Sequence, residues 1–190
     1  MPVLIDHLEH RLGPLTNGWK GVTRQGMPTV NVAYFTGGIF TDTTSYATVG
    51  LSRVPLHAAG NNRHLFLEFI AAEHGPDDVS LSMFPRALEF VVSRCFDTRE
   101  AVLRGDIVTL PEGVIRGSRF TSLYAALPVY YDEEFKSVIV ENGDAVGIAW
   151  LIPVTSGEAK FVAEHGWDQF EGELLKRNPD LMDLNREAIA

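Results

Sequence analysis

The sequence predicts an α+β domain, a mixed, largely antiparallel sheet packed by helices. Three observations carry this. Several short runs rich in β-branched and aromatic residues are separated by turn chemistry. One longer stretch places apolar residues at helical spacing along a single face. Strands and helices do not alternate regularly, which argues against a doubly wound α/β sheet. The 190 residues are read as a single domain over 1–190, with 1–27 an N-terminal helix and connector. A chain of this length can bury most of its apolar surface without covalent staples.

The elements follow in order. Val3, Leu4, Leu8 and Leu12 form a helix-like stripe that Gly13-Pro14 ends. Residues 16–26 are polar and carry Gly18, Gly21 and Gly26, so they read as a turn-rich connector. Residues 28–35 alternate through Val30, Val32 and Tyr34 and read as a strand. A Thr-rich loop over 37–45, flanked by Phe40 and Tyr46, leads to a strand over 46–52. A turn at 58–62 separates it from a strand over 65–72, and the two are most simply antiparallel. Residues 74–78 break the chain. Pro85 is then expected at the first helical position, where its missing N–H costs nothing. Leu88, Val91, Val92, Cys95 and Phe96 recur at i, i+3, i+4, i+7 and i+8 behind it.

Residues 107–110, 121–129 and 145–154 read as further strands. The last of these is a nearly continuous apolar run, as a strand buried on both faces would be. Thr155 and Glu158 behind it have capping-box spacing. The Thr155 hydroxyl is expected to accept from the Glu158 amide, and the Glu158 carboxylate from the Thr155 amide. Two short helices and a polar tail finish the chain.

Charge and composition narrow the function. The formal charge of −9 argues against a sequence-independent nucleic-acid binder, which needs cations to displace phosphate counterions. It is compatible with a basic protein partner, because opposite fields steer encounter, and with a chain whose charge serves only solubility. The single cysteine, Cys95, excludes an intramolecular disulfide and suits a reducing, cytoplasmic compartment. The first residues have no basic segment and Asp6 interrupts their apolar run, so they do not read as a signal peptide. No run reaches membrane-span length, and no membrane partner is expected.

No reactive constellation is complete. His7 and His10 lie i, i+3, where two imidazoles can share a metal, but no Cys pair or third spaced His completes the three or four ligands of a closed protein site, and they read as a solvated helix face. His57, His64 and His74 are scattered through loop-like polar sequence. Gly117-Ser118-Arg119 lacks the second glycine of a nucleophile elbow. Cys95 sits on an apolar stripe, where its thiolate is disfavoured. Arg104-Gly105-Asp106 reads as a turn, bent at Gly105 and capped by Asp106. No phosphate loop or dinucleotide fingerprint is present. The expectation is therefore no catalytic residue, no metal and no cofactor. Two segments suit binding. The Thr-rich loop between Phe35 and Tyr46, flanked by Phe40 and Tyr46, reads either as a segment that orders against a peptide or as a mobile loop. Tyr130, Tyr131, Asp132, Glu133 and Glu134 join aromatic area to three acids in a hairpin loop or at a sheet edge. The alternative is a solvated turn with its tyrosines packed inward.

The order of these pieces resembles the suppressor of fused (SUFU) domain family. Tyr46-Ala-Thr-Val-Gly50-Leu-Ser52 is similar to that family's aromatic-x-x-x-Gly-Leu-Ser strand, and Leu65-Phe-Leu-Glu68-Phe69 to its following Glu-bearing strand. Phe84-Pro85, a helix, then Gly105-Asp106 matches in the same order. The end resembles it most, with Pro153, Thr155, Glu158, Gly166 and the closing Asp183 to Arg186 element. The likeness covers residues 46–189. It implies a SUFU-like fold and a non-catalytic protein-interaction role. Animal members restrain a transcription factor and carry a second, C-terminal domain, for which this chain is too short. Short bacterial members are thought to be immunity proteins that neutralise a cognate toxin, and the chain resembles these in length. The partner implied is a basic protein, either a toxin or a regulator. An enzyme with a site scattered in space, or a purely homodimerising subunit, stays open at this point, as does the choice of monomer or homodimer.

Overall fold

The computed structural model describes residues 2–58, 60–61, 63–75, 81–112, 114 and 118–190. Four helices are described: α1 (Pro2–Leu12), α2 (Phe84–Thr98), α3 (Ser156–His165) and α4 (Trp167–Arg177). Nine strands form one mixed sheet: β1 (Leu15–Val22), β2 (Val30–Thr36), β3 (Thr43–Val49), β4 (Leu56–His57), β5 (His64–His74), β6 (Ile107–Thr109), β7 (Ser122–Ala126), β8 (Ser137–Ile139) and β9 (Ala145–Val154). The order is β1-β2-β3-β5-β9-β7-β6, with β4 attached to β5 and β8 to β9. Only β5 and β9 run parallel; the other pairs of named strands are antiparallel.

The two-residue period of the strands sorts the apolar side chains into two cores. Leu67, Phe69 and Ala71 of β5, with Ala149 and Leu151 of β9, face α2 and meet Leu88, Val91, Val92 and Cys95. Ile70 and Ala72 of β5, with Val146, Ile148, Trp150 and Ile152 of β9, face the other side. There they meet Leu4, Leu8 and Leu12 of α1, Val162 of α3 and Phe170 of α4. Because helices cover both faces of β9, its run has no polar alternation. The α2 stripe read from the sequence is thus one wall of a core, and the α1 stripe belongs to the opposite wall.

Several boundaries differ from the sequence reading. The connector expected at 16–26 is instead mostly strand β1. Its side chains are largely exposed and two register shifts interrupt its pairing with β2, so it carries no apolar alternation to read. The strand expected over 46–52 begins earlier, at Thr43, and stops at Val49. Gly50 then takes φ +115°, and Leu51–Arg53 form a single 3-10 turn. A Cβ at Gly50 would stand 2.8 Å from the Thr29 carbonyl oxygen, so glycine is required there for both reasons. Pro85 is the second helical residue rather than the first, because Phe84 begins α2. The segment expected as a hairpin loop or edge at 130–135 includes the start of a 3-10 turn, Glu133–Lys136, that runs into β8. Parts of the turns read at 58–62 and 74–78, and Gly117, lie outside the described residues.

Candidate interaction site

The polar residues most deeply buried are occupied with the backbone. Glu68 on β5 is fully buried and accepts five hydrogen bonds. Gly50, Leu51 and Ser52 give their amides at 2.9, 3.3 and 3.0 Å, and the Thr48 and Ser52 hydroxyls donate at 2.6 and 2.8 Å. Burial pushes this carboxyl above the usual range, while those donors pull against it. The Gly-Leu-Ser turn and the Glu-bearing strand are therefore one unit: the turn leaves amides without strand partners, and Glu68 satisfies them.

A second unit closes the C-terminal end. Thr155 Oγ1 accepts from the Glu158 amide at 3.2 Å, and Glu158 Oε2 accepts from the Thr155 amide at 2.8 Å. Arg186 donates to both oxygens of Glu158 and to the Pro153 carbonyl, at 2.7, 3.2 and 2.9 Å. Its guanidinium also lies 5.1 Å from the Phe120 ring centre. Asp183 accepts from the Asn185 amide and bends the chain that delivers Arg186. Gly166, at φ +84°, separates α3 from α4. Gly105, at φ +97°, and Asp106, whose carboxylate accepts from the Leu103 amide at 2.8 Å, make the turn before β6. These residues hold the backbone in place.

The acidic segment divides into an inward and an outward half. Tyr131 is buried against Phe135 and Phe40. Tyr130 packs on Trp150, and its hydroxyl donates to the Pro179 carbonyl and accepts from the Leu181 amide. Asp132 caps the 3-10 turn through the Phe135 amide and takes a two-pronged bond from Arg11 of α1, 3.1 Å on each side. Glu133 and Glu134 point outward, with side chains 86% and 88% exposed. They stand at the head of β8, which pairs with β9 alone among the described strands. Ile139, at the far end of β8, is 62% exposed.

A groove that the sequence reading missed lies beside α4. Arg104, Tyr124, Val129, Ile152, Glu171 and Leu175 line a cavity of about 250 Å³, below the roughly 300–1,000 Å³ of typical small-ligand sites. Its polar groups are bonded to one another. Arg104 pairs with Glu171 in a two-pronged contact, and the Tyr124 hydroxyl donates to Glu171 at 2.7 Å. Burial opposes the ionised Glu171 carboxylate, but these two donors outweigh it and hold the carboxyl below its usual range. Burial and Glu171 push the Tyr124 phenol well up. Such a locked cluster has neither a base nor an acid poised for proton transfer near neutrality. No sequence signal links Tyr124 to Glu171, which are 47 positions apart. Cys95 is buried in the α2 core, and burial pushes its thiol up to about 12. His7 Nε2 is engaged with the Phe135 carbonyl. No group of three or more His, Cys, Asp or Glu side chains suited to a metal is found among the described residues.

The two buried carboxylate units brace a mixed sheet covered by helices on both faces. The family model for suppressor of fused protein (SUFU) matches residues 26–187, and the chain belongs to that family. A curated relative is the immunity protein YqcF of Bacillus subtilis (strain 168), 21% identical over 148 residues that span 77% of this chain and 74% of that protein. Among solved structures, a SUFU homolog from Neisseria gonorrhoeae FA 1090 superposes with a TM-score of 0.77 at 18% identity, covering 100% of this chain and 96% of that one. The Sufu-Fu complex gives 0.69 at 13% identity, over 99% of this chain and 91% of that chain. Drosophila Suppressor of Fused gives 0.64 at 15% identity, and there the chain spans 99% of itself but 50% of the neighbour. At these identities the structures establish the fold, which is the SUFU-like, mixed and mostly antiparallel sheet.

Proposed function

We propose that this chain binds and restrains a protein partner by stoichiometric occlusion, as an immunity-type antagonist of a basic cognate toxin in the cytoplasm. The observation that carries the reading is the pairing of an unshared strand edge with an outward acidic head. Among the described strands β8 has one partner, and Glu133 and Glu134 stand exposed where it begins. An extended segment of the partner adds to that edge through main-chain hydrogen bonds. The two carboxylates select basic residues beside it. The net charge of −9 favours the same class of partner.

Two further facts support the reading. The relative from Bacillus subtilis is an immunity protein. The most deeply buried carboxylates, Glu68 and Glu158, are saturated by internal donors and so serve the fold rather than turnover. Asp132, Tyr130 and Tyr131 act in this reading as supports that hold the edge and its acidic head in place. The test is co-expression with the product of the adjacent gene under inducible control. Growth is expected to survive induction of the neighbour only when this chain is present. Growth arrest regardless of this chain would contradict the reading for that pair.

A further inference from the structure

We propose that His57 and His64 form a two-imidazole site for a borderline divalent metal ion of the copper, nickel and zinc group. In sequence they are two isolated histidines. In the fold they are direct cross-strand partners, His57 on β4 opposite His64 on β5. Their ring centres are 5.0 Å apart with planes inclined at 60°. Two imidazoles on one tetrahedral metal, with metal–nitrogen bonds of about 2.0–2.1 Å, have ring centres about 5 Å apart. The pair thus already has the separation that shared ligation requires.

Two other features favour ligation over simple ring packing. His57 Nδ1 is buried and has no hydrogen-bond partner, and it is the one such side-chain atom among the described residues. The backbone of His57 is also held from both sides. Its amide donates to the Arg99 carbonyl at 2.9 Å and its carbonyl accepts from the Ala101 amide at 2.8 Å. A ligand on a fixed backbone loses little freedom on binding metal.

The surroundings set the class of ion. Glu100 is the bridge partner of His57 and is exposed, while Arg63 precedes His64 and Arg99 precedes Glu100. The described residues supply two ligands rather than a closed set of three or four, so the remaining positions fall to water on the side of His64, which is exposed. Imidazole donors select copper, nickel and zinc over calcium or magnesium, which require oxygen ligands. The site stands independently of the proposed toxin antagonism, because it uses neither β8 nor its acidic head.

The test is copper(II) titration of the tag-free full chain at neutral pH, followed by electron paramagnetic resonance. The wild type is expected to bind one equivalent with nitrogen hyperfine structure. Even a second-sphere change at a metal site costs about 10–100-fold in affinity, so H57Q and H64Q should each weaken binding at least about tenfold. The H7Q/H10Q double variant should bind like the wild type. Broadening of ring resonances in the unmodified protein gives a readout free of folding defects: His57 and His64 should broaden first as copper is added. Absence of nitrogen-ligated copper would overturn the site and leave a packed ring pair. So would unchanged binding in H57Q or in H64Q, or first broadening at His7, His10, His74 or His165.

Discussion

Arg186 reaches back 28 positions to place two donors on Glu158, with the side chains 3% and 0% exposed. Glu158 also closes the helix cap at Thr155 and accepts from the Ile189 amide at 3.2 Å. One carboxylate thereby ties the end of β9, the start of α3 and the C-terminal tail. Removing one member of such a buried pair leaves the other charge without compensation. Arg186→Met is expected to cost about 3–5 kcal/mol, read as a lowered midpoint in urea unfolding. A loss within the range of an exposed ion pair would show that the pair does not hold the tail.

Thr155→Ala removes the other half of the box while leaving Arg186 on Glu158. The expected cost is about 1 kcal/mol, checked by the same unfolding curves. Thr155→Ser keeps the hydroxyl and should recover most of it.

The Glu158 unit gives a pH dependence of known sign. Burial alone would raise the Glu158 carboxyl, but Arg186, the Thr155 amide and the Ile189 amide outweigh it and hold it below the usual range. Its folded value therefore lies below its unfolded one. The stability it contributes is fully present above the ordinary carboxylate value and is lost as pH falls through the lower, folded value. Glu68, pushed up by burial, acts in the opposite sense, so the total curve mixes both. The difference between wild type and Glu158→Gln isolates the contribution of Glu158. That difference should be largest near neutrality and should shrink as pH drops below the ordinary carboxylate range. A difference that grows on acidification would reverse the assignment.

Glu133 and Glu134 are rim charges in the proposed interface, and rim charges act mainly on association rate. Glu133→Gln with Glu134→Gln should slow association with a basic partner at low salt and have less effect at high salt. Adding Asp132→Asn is expected to disturb the fold as well, because Asp132 caps its own turn and binds Arg11. Stopped-flow binding at two ionic strengths separates these effects. Equal rates for the double variant and wild type at both would leave the two glutamates as solvated surface.

What was legible in the sequence depended on whether a residue's partner was local. The capping box at Thr155 and Glu158 is three residues wide, and the α2 stripe repeats within one helix, so both could be read directly. The apolar run of β9 announced its burial on both faces through composition alone. β1 was not legible, because an edge strand with exposed side chains and irregular pairing has no alternation. The 3-10 turn at Leu51–Arg53 was hidden because its amides are satisfied by Glu68, 16 to 18 positions away. The inward turn of Tyr131 and the meeting of His57 with His64 likewise depend on packing and strand register. The family resemblance bridged part of this gap, because its motifs are the residues that meet around Glu68 and Glu158.

The central claim is restraint by occlusion, and an equivalence-point titration tests it most directly. The purified adjacent-gene protein is assayed for its own activity while this chain is added in measured amounts. A tight one-to-one complex predicts a linear fall in activity that reaches zero at one equivalent, with both proteins intact in a single co-eluting species. Inactivation at a small fraction of an equivalent would contradict the account by showing turnover, and full activity at excess would contradict it by showing no restraint of that partner.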